Sequence, residues 1–137
     1  MQSIANQSAK KSKLYVTVKY SCVPVNQPIM EYANNFLYRE DTQLFYTRSN
    51  QTFIFNKLDN SEMRFDFDNN LIFFEEAGYF EVESEDEKTA ILEFNSQLNE
   101  MTLDIKYILL YSLNNEPFLV APDLVEFNIM GFEPALI

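Results

Sequence analysis

From Lys13 to Val23 apolar and polar residues alternate, with Leu14, Val16, Val18 and Tyr20 on one side and Tyr15, Thr17, Lys19 and Ser21 on the other. That period of two predicts a strand with one buried face. Pro24, Asn26 and Pro28 end it, and Pro28 suits the first turn of a helix. Ile29, Tyr32, Ala33, Phe36 and Leu37 then share one helical stripe. Five short strands are predicted next: Gln43–Arg48, Thr52–Leu58, Glu62–Phe67, Leu71–Glu76 and Tyr79–Glu83. They are separated at Ser49-Asn50, Asp59-Asn60, Asp68-Asn69-Asn70 and Ala77-Gly78, which is hairpin spacing with hairpin residues. Phe53 with Phe55 and Phe65 with Phe67 are i, i+2 pairs, so each pair shares a sheet face, and Phe45 is a cross-strand candidate beside them.

Ser84-Glu85-Asp86-Glu87 has the form of a capping box. Ala90, Ile91, Phe94, Leu98 and Met101 follow at helical spacing, which predicts a helix over about Glu85 to Asn99. From Met101 the period returns to two through Leu103, Ile105, Tyr107, Leu109, Tyr111 and Leu113. Ile108 and Leu110 make the other face apolar as well, as expected of a central strand covered by a helix. Asn114-Asn115-Glu116-Pro117 turns the chain into Phe118–Val120, and Asp123 to Ile137 reads as a strand or a short helical turn. The expected fold class is α+β: an antiparallel meander sheet of six to seven strands with two helices on one face. Residues 1–12 read as a flexible basic tail and residues 13–137 as a single α+β domain.

Composition removes whole classes of chemistry. The 137 residues include no histidine, no tryptophan, one cysteine and two glycines. Without imidazole there is no Ser-His-Asp or Cys-His machinery and no side-chain base poised near neutral pH. Cys22 alone cannot assemble a thiolate metal site, and packing at the end of a buried strand is its expected role. Two isolated glycines cannot build a phosphate-cradling loop. No metal and no cofactor are therefore expected. The longest apolar run, Tyr107 to Tyr111, falls far short of the ~20 residues that cross a bilayer. No secretory signal is evident, and a cytoplasmic protein with no membrane association is expected. Oligomeric state is not readable from the pattern.

Charge is segregated. Residues 1–64 carry eight Lys/Arg and five Asp/Glu, whereas residues 65–137 carry two and sixteen, a net of −14 in the second half. Such a field repels nucleic acid and steers in a basic protein surface. Asp66 to Asn70 opens like a calcium loop, but Leu71 stands where glycine is needed and Ala77 where glutamate is needed, so a hairpin turn is expected instead. Glu75 with Glu81 could form an acid–base pair across a hairpin, yet no indole platform for a sugar accompanies them. Lys10, Lys11, Lys13 and Lys19 beside Tyr15 and Tyr20 could hold single-stranded nucleic acid, against the overall charge of −11.

Thr52-Phe53-Ile54-Phe55 and Asp68-Asn69-Asn70-Leu71-Ile72-Phe73-Phe74-Glu75-Glu76 resemble parts of immunity proteins of contact-dependent growth inhibition systems. The resemblance implies a cytoplasmic protein that binds and blocks a cognate toxin, often a nuclease, and it carries over to Glu75 and Glu76. Together with the acidic half, the expectation is a non-enzymatic inhibitory binding protein whose partner is a basic toxin or nucleic-acid-handling enzyme. The expected contacts are Asp66, Asp68, Glu75, Glu76, Glu81, Glu83 and Glu85, with Phe74 and Tyr79 as aromatic anchors. A phage anti-defence protein imitating DNA charge against a restriction or CRISPR nuclease, and an acidic secretion chaperone, are the alternatives.

Overall fold

In the computed structural model residues 11–35 and 41–135 are described. Residues 1–10 of the expected basic tail, and Phe36 and Leu37 of the expected first helix, lie outside them. Six strands and two helices follow in the order β1 (Ser12–Pro24), α1 (Ile29–Asn35), β2 (Asp41–Thr47), β3 (Thr52–Asp66), β4 (Leu71–Val82), α2 (Glu87–Asp104), β5 (Ile105–Leu113) and β6 (Glu116–Glu133). The α+β class is as the pattern predicts. The sheet, however, is closed on itself rather than an open meander, with every pairing antiparallel and strand order β1-β4-β3-β2-β5-β6. Closure is made by β6, which pairs with β5 over its first residues and then runs along β1 from Pro24–Val120 to Lys13–Glu133. An open sheet would leave two unpaired edges; closure removes them. No helix among the described residues is long and apolar enough to cross a membrane.

The helices do not cover one face of a sheet. They stand at opposite ends of the barrel. Tyr32 of α1 is fully buried, donates its hydroxyl proton toward the Leu119 carbonyl, and meets Phe118 edge-on at 5.1 Å. At the other end Phe94 of α2 packs on Phe80 at 6.0 Å and Phe127 at 5.7 Å. Asp86, not Ser84, caps α2: its carboxylate accepts from the Thr89 amide at 2.9 Å and hydroxyl at 2.8 Å. Ser84 instead exchanges hydrogen bonds with the Asp86 backbone.

The inward side chains of β1 are Leu14, Val16, Val18, Tyr20 and Cys22, in the phase the alternation gives. Phe45, Phe55, Phe80 and Phe127 cluster between them with ring centroids 5.3–6.2 Å apart. Two expected turns are absent. Asp59-Asn60 and Ala77-Gly78 lie inside β3 and β4, and they face each other across that strand pair. The register of β3 slips at Lys57/Asp59 and again at Asn60/Glu62, so Asp59-Asn60 sits in a bulged stretch. At Gly78 the two strands approach closely. A Cβ there would overlap the Asn56 carbonyl oxygen and stand 2.7 Å from the Phe55 ring. The C-terminal segment is strand as far as Glu133, the end of β6, and Pro122 is accommodated at the register shift opposite Ser21/Cys22.

Gly78→Ala should therefore destabilise the fold by about 1–3 kcal/mol through overpacking. Gly131→Ala, whose added methyl meets nothing within 4 Å, should cost far less. Urea unfolding of the two variants beside the wild type checks the contrast.

Candidate functional site

The acids expected to form one surface are distributed by the barrel in three ways. Asp66 and Asp68 lie at the β3–β4 turn, at the end of the barrel where α1 sits. Asp66 is engaged in that turn, accepting from the Asn69 amide at 3.2 Å and side chain at 2.8 Å. The Asn69 side chain, then its backbone, hold the Asp66 carboxyl below its ordinary value. Glu81, Glu83 and Glu85 are exposed at the opposite end. Strand β4 spans Leu71–Val82, so at ~3.3 Å per residue the two groups stand about 35 Å apart. They cannot act as one patch.

Glu76 and Phe74 face inward and cannot touch a partner. Phase decides this: on β4 they follow Ile72 and precede Gly78 and Phe80 on the buried side. Phe74 is 3% exposed and stacks on Tyr20 at 4.9 Å. Glu76 is 0% exposed. Its carboxylate accepts from the Tyr20 hydroxyl at 2.9 Å and from Gln43 Nε2 at 2.9 Å, with Lys57 Nζ at 4.0 Å. The Lys57 side chain is itself almost wholly buried. A carboxylate inside an apolar barrel persists only with such partners. Even so, burial outweighs them and raises the Glu76 pKa, while Lys57, Tyr20 and Gln43 pull the other way. Among the described residues Gln43 Oε1 has no hydrogen-bond partner. Cys22 packs there too, its thiol 3.4 Å from the Ile72 carbonyl and its pKa pushed up by burial, the state of an inert thiol.

On the outer wall the acids of β4 do not stand alone. Lys19 lies in register with Glu75 on one side and Glu126 on the other, and Lys13 with Glu81 and Glu133. Lys13 also sits over the Tyr79 ring at 4.7 Å, and Tyr79 meets Tyr15 at 5.6 Å. Opposite charges placed directly across an antiparallel pair stabilise it by roughly 0.2–1 kcal/mol each. Glu75 and Tyr79 are thus half-buried members of a wall in which positive and negative residues alternate.

The remaining acids gather where β4 hands over to α2. Glu81, Glu83, Glu85, Glu87 and Glu93 are all exposed there, and Lys11 pairs with Glu83 at 3.0 Å. Asp86, held below its ordinary pKa mainly by the Thr89 amide, serves the helix cap. Of these acids Glu81, Glu83 and Glu93 line a cleft of about 310 Å³ whose apolar lining includes Phe53, Ile54, Phe80 and Phe94. Ile54 is 53% exposed although it belongs to a strand. The sequence reading missed this cleft; its one available signal was the unbroken apolar run Phe53-Ile54-Phe55, which puts a hydrophobe on the outer wall. Among the described residues no group of three Asp, Glu, Cys or His side chains is placed to hold a metal ion.

Because the folded state raises the Glu76 pKa, the protonated carboxyl is the better tolerated form. Its contribution to stability is greatest below the usual carboxylate range and is lost as pH rises through the raised value. Wild type should lose stability relative to Glu76→Gln as pH rises above the usual carboxylate range. Melting temperatures of both proteins over that rise test it; parallel curves would contradict the buried, titrating carboxyl. No family model, no curated protein and no solved structure matches this chain.

Proposed function

We propose that the protein is a non-enzymatic inhibitor that presents the α2 end of its barrel to a basic protein, as an immunity protein does when it blocks a nuclease-type toxin. The observation that carries this reading is the exposed group Glu81, Glu83, Glu85, Glu87 and Glu93, of which Glu81, Glu83 and Glu93 line a cleft together with Phe53, Ile54, Phe80 and Phe94. Acids give steering and discrimination, and apolar side chains give the desolvated centre that affinity requires. A substrate groove built for nucleic acid is basic, so an acidic plug complements it. The absence of histidine from the whole chain agrees with a role in binding rather than in acid–base catalysis. A cytoplasmic location would suit such a role.

The DNA-imitating alternative needs a continuous file of negative charge. Lys13 and Lys19, each in register between two glutamates, interrupt that file along the barrel wall, so a localised acidic end is favoured over an imitation duplex.

The test is a triple charge reversal, E81K/E83K/E85K, at residues whose side chains lie outside the core. Wild type and variant are used to isolate the partner from the native host, and association is followed by surface plasmon resonance over a salt series. A basic partner should be retained by wild type, with the variant associating about tenfold more slowly and with a flatter salt dependence. Equal rates would remove the acidic end from the interface.

A further inference from the structure

The barrel is closed, but not along the full length of every seam. Strands β3 and β4 are bonded from Asp66–Leu71 to Asn56–Tyr79 and no further. Beyond that point, among the described residues, Thr52–Phe55 of β3 are paired only with β2. On the other side Phe80–Val82 of β4 are paired, among the described residues, only with β1. Two short strand edges are thus left facing each other without a ladder between them. The cleft described above opens between them, with Phe53, Phe80 and Phe94 among its lining residues and Glu81, Glu83 and Glu93 along it.

An unpaired edge is a template for another strand. Resting on the binding role proposed above, the geometry points to a specific occupant: an extended segment of the partner protein, alternating basic and apolar residues, that adds as a short strand in this cleft. Its backbone takes up the free groups of Thr52–Phe55 or Phe80–Val82. Its apolar side chains, on every second residue, turn inward to Phe53, Phe80 and Phe94. The intervening Lys or Arg side chains turn outward to Glu81, Glu83 and Glu93. The charge of the rim selects the sign of the segment, and the spacing of strand residues selects its alternation. Lys11 already lines the cleft and pairs with Glu83, so a cation at this rim is accommodated by the protein itself.

The probe is a fluorescein-labelled peptide of about seven alternating Lys and Val residues, added to the full chain at low salt. One control is the Glu–Val counterpart, and another is the Lys–Val peptide N-methylated on alternate residues, which keeps the charge but removes the amide donors of one edge. Binding is read by anisotropy and located by amide chemical-shift mapping. The Lys–Val peptide should bind, with shifts concentrated at Thr52–Phe55 and Phe80–Glu83. N-methylation, and separately E81K/E83K, should each weaken it by about tenfold. Ile54→Lys, at an exposed position, should also weaken it while leaving the melting temperature unchanged.

Equal affinity for the N-methylated peptide would overturn the proposal by reducing the contact to charge alone. Shifts centred elsewhere would do the same. A full chain that sediments as a dimer, with the amides of Thr52–Phe55 already protected, would assign the cleft to a second copy and also overturn it. If the peptide fails while E81K/E83K/E85K still slows capture of the native partner, the acidic end docks a folded surface and only the strand-addition mode falls. If both fail, the binding role falls with it.

Discussion

Everything in this molecule answers to the closure of the sheet by β6 along β1, from Lys13–Glu133 to Pro24–Val120. A closed antiparallel barrel sends every second side chain of its strands into one shared interior. With only six strands that interior is narrow, so the inward positions are coupled to one another. The Phe45, Phe55, Phe80 and Phe127 rings occupy its middle, and they fit only because Gly78 leaves space against Phe55. The same confinement explains the polar cluster. Once phase commits Glu76 to the interior, Tyr20, Gln43 and Lys57 become structural partners of a carboxyl group that water cannot reach.

Closure also governs what the surface can offer. The chain segregates its charge strongly between its halves, yet the antiparallel pairings return basic β1 to the side of acidic β4 and β6. Charge that is segregated in sequence becomes alternating on the barrel wall. Only where the chain leaves β4 for α2, past the reach of Lys13, do Glu83, Glu85, Glu87 and Glu93 stand together. The candidate binding region is therefore a property of one barrel end, not of half the chain.

Much of this was legible in the residues. The alternation of Lys13–Val23 gave β1 and its buried face. Ser49-Asn50, Asp68-Asn69-Asn70 and Asn114-Asn115 marked real hairpins, in which Asn50, Asn70, Asn114 and Asn115 adopt the positive φ that asparagine tolerates. The failures share a cause. Asp59-Asn60 and Ala77-Gly78 carry turn residues, but here one pair fills a bulge and the other permits close approach, and local composition cannot distinguish those uses. The false break at Ala77-Gly78 had a further cost: it severed Glu76 from the inward phase of Phe80 and so made a buried carboxylate look like a surface one. Pro122 and the two register shifts of β6 similarly hid an 18-residue strand. Closure itself, which pairs residues as distant in the chain as Lys13 and Glu133, leaves no local trace.

The seam that completes the barrel also determines how the molecule would respond to being pulled apart. Ser12 begins β1 and Glu133 ends β6 at the same rim, and the Ala135 amide donates to the Ser12 hydroxyl at 3.0 Å. Tension applied through the two ends of the domain therefore falls on neighbouring antiparallel strands at one extremity. Their ladder bonds run perpendicular to the strands, so they would be loaded successively, as in peeling, rather than all together, as in shear. The connection that makes the fold possible is, under load from its two ends, the line that opens one bond at a time.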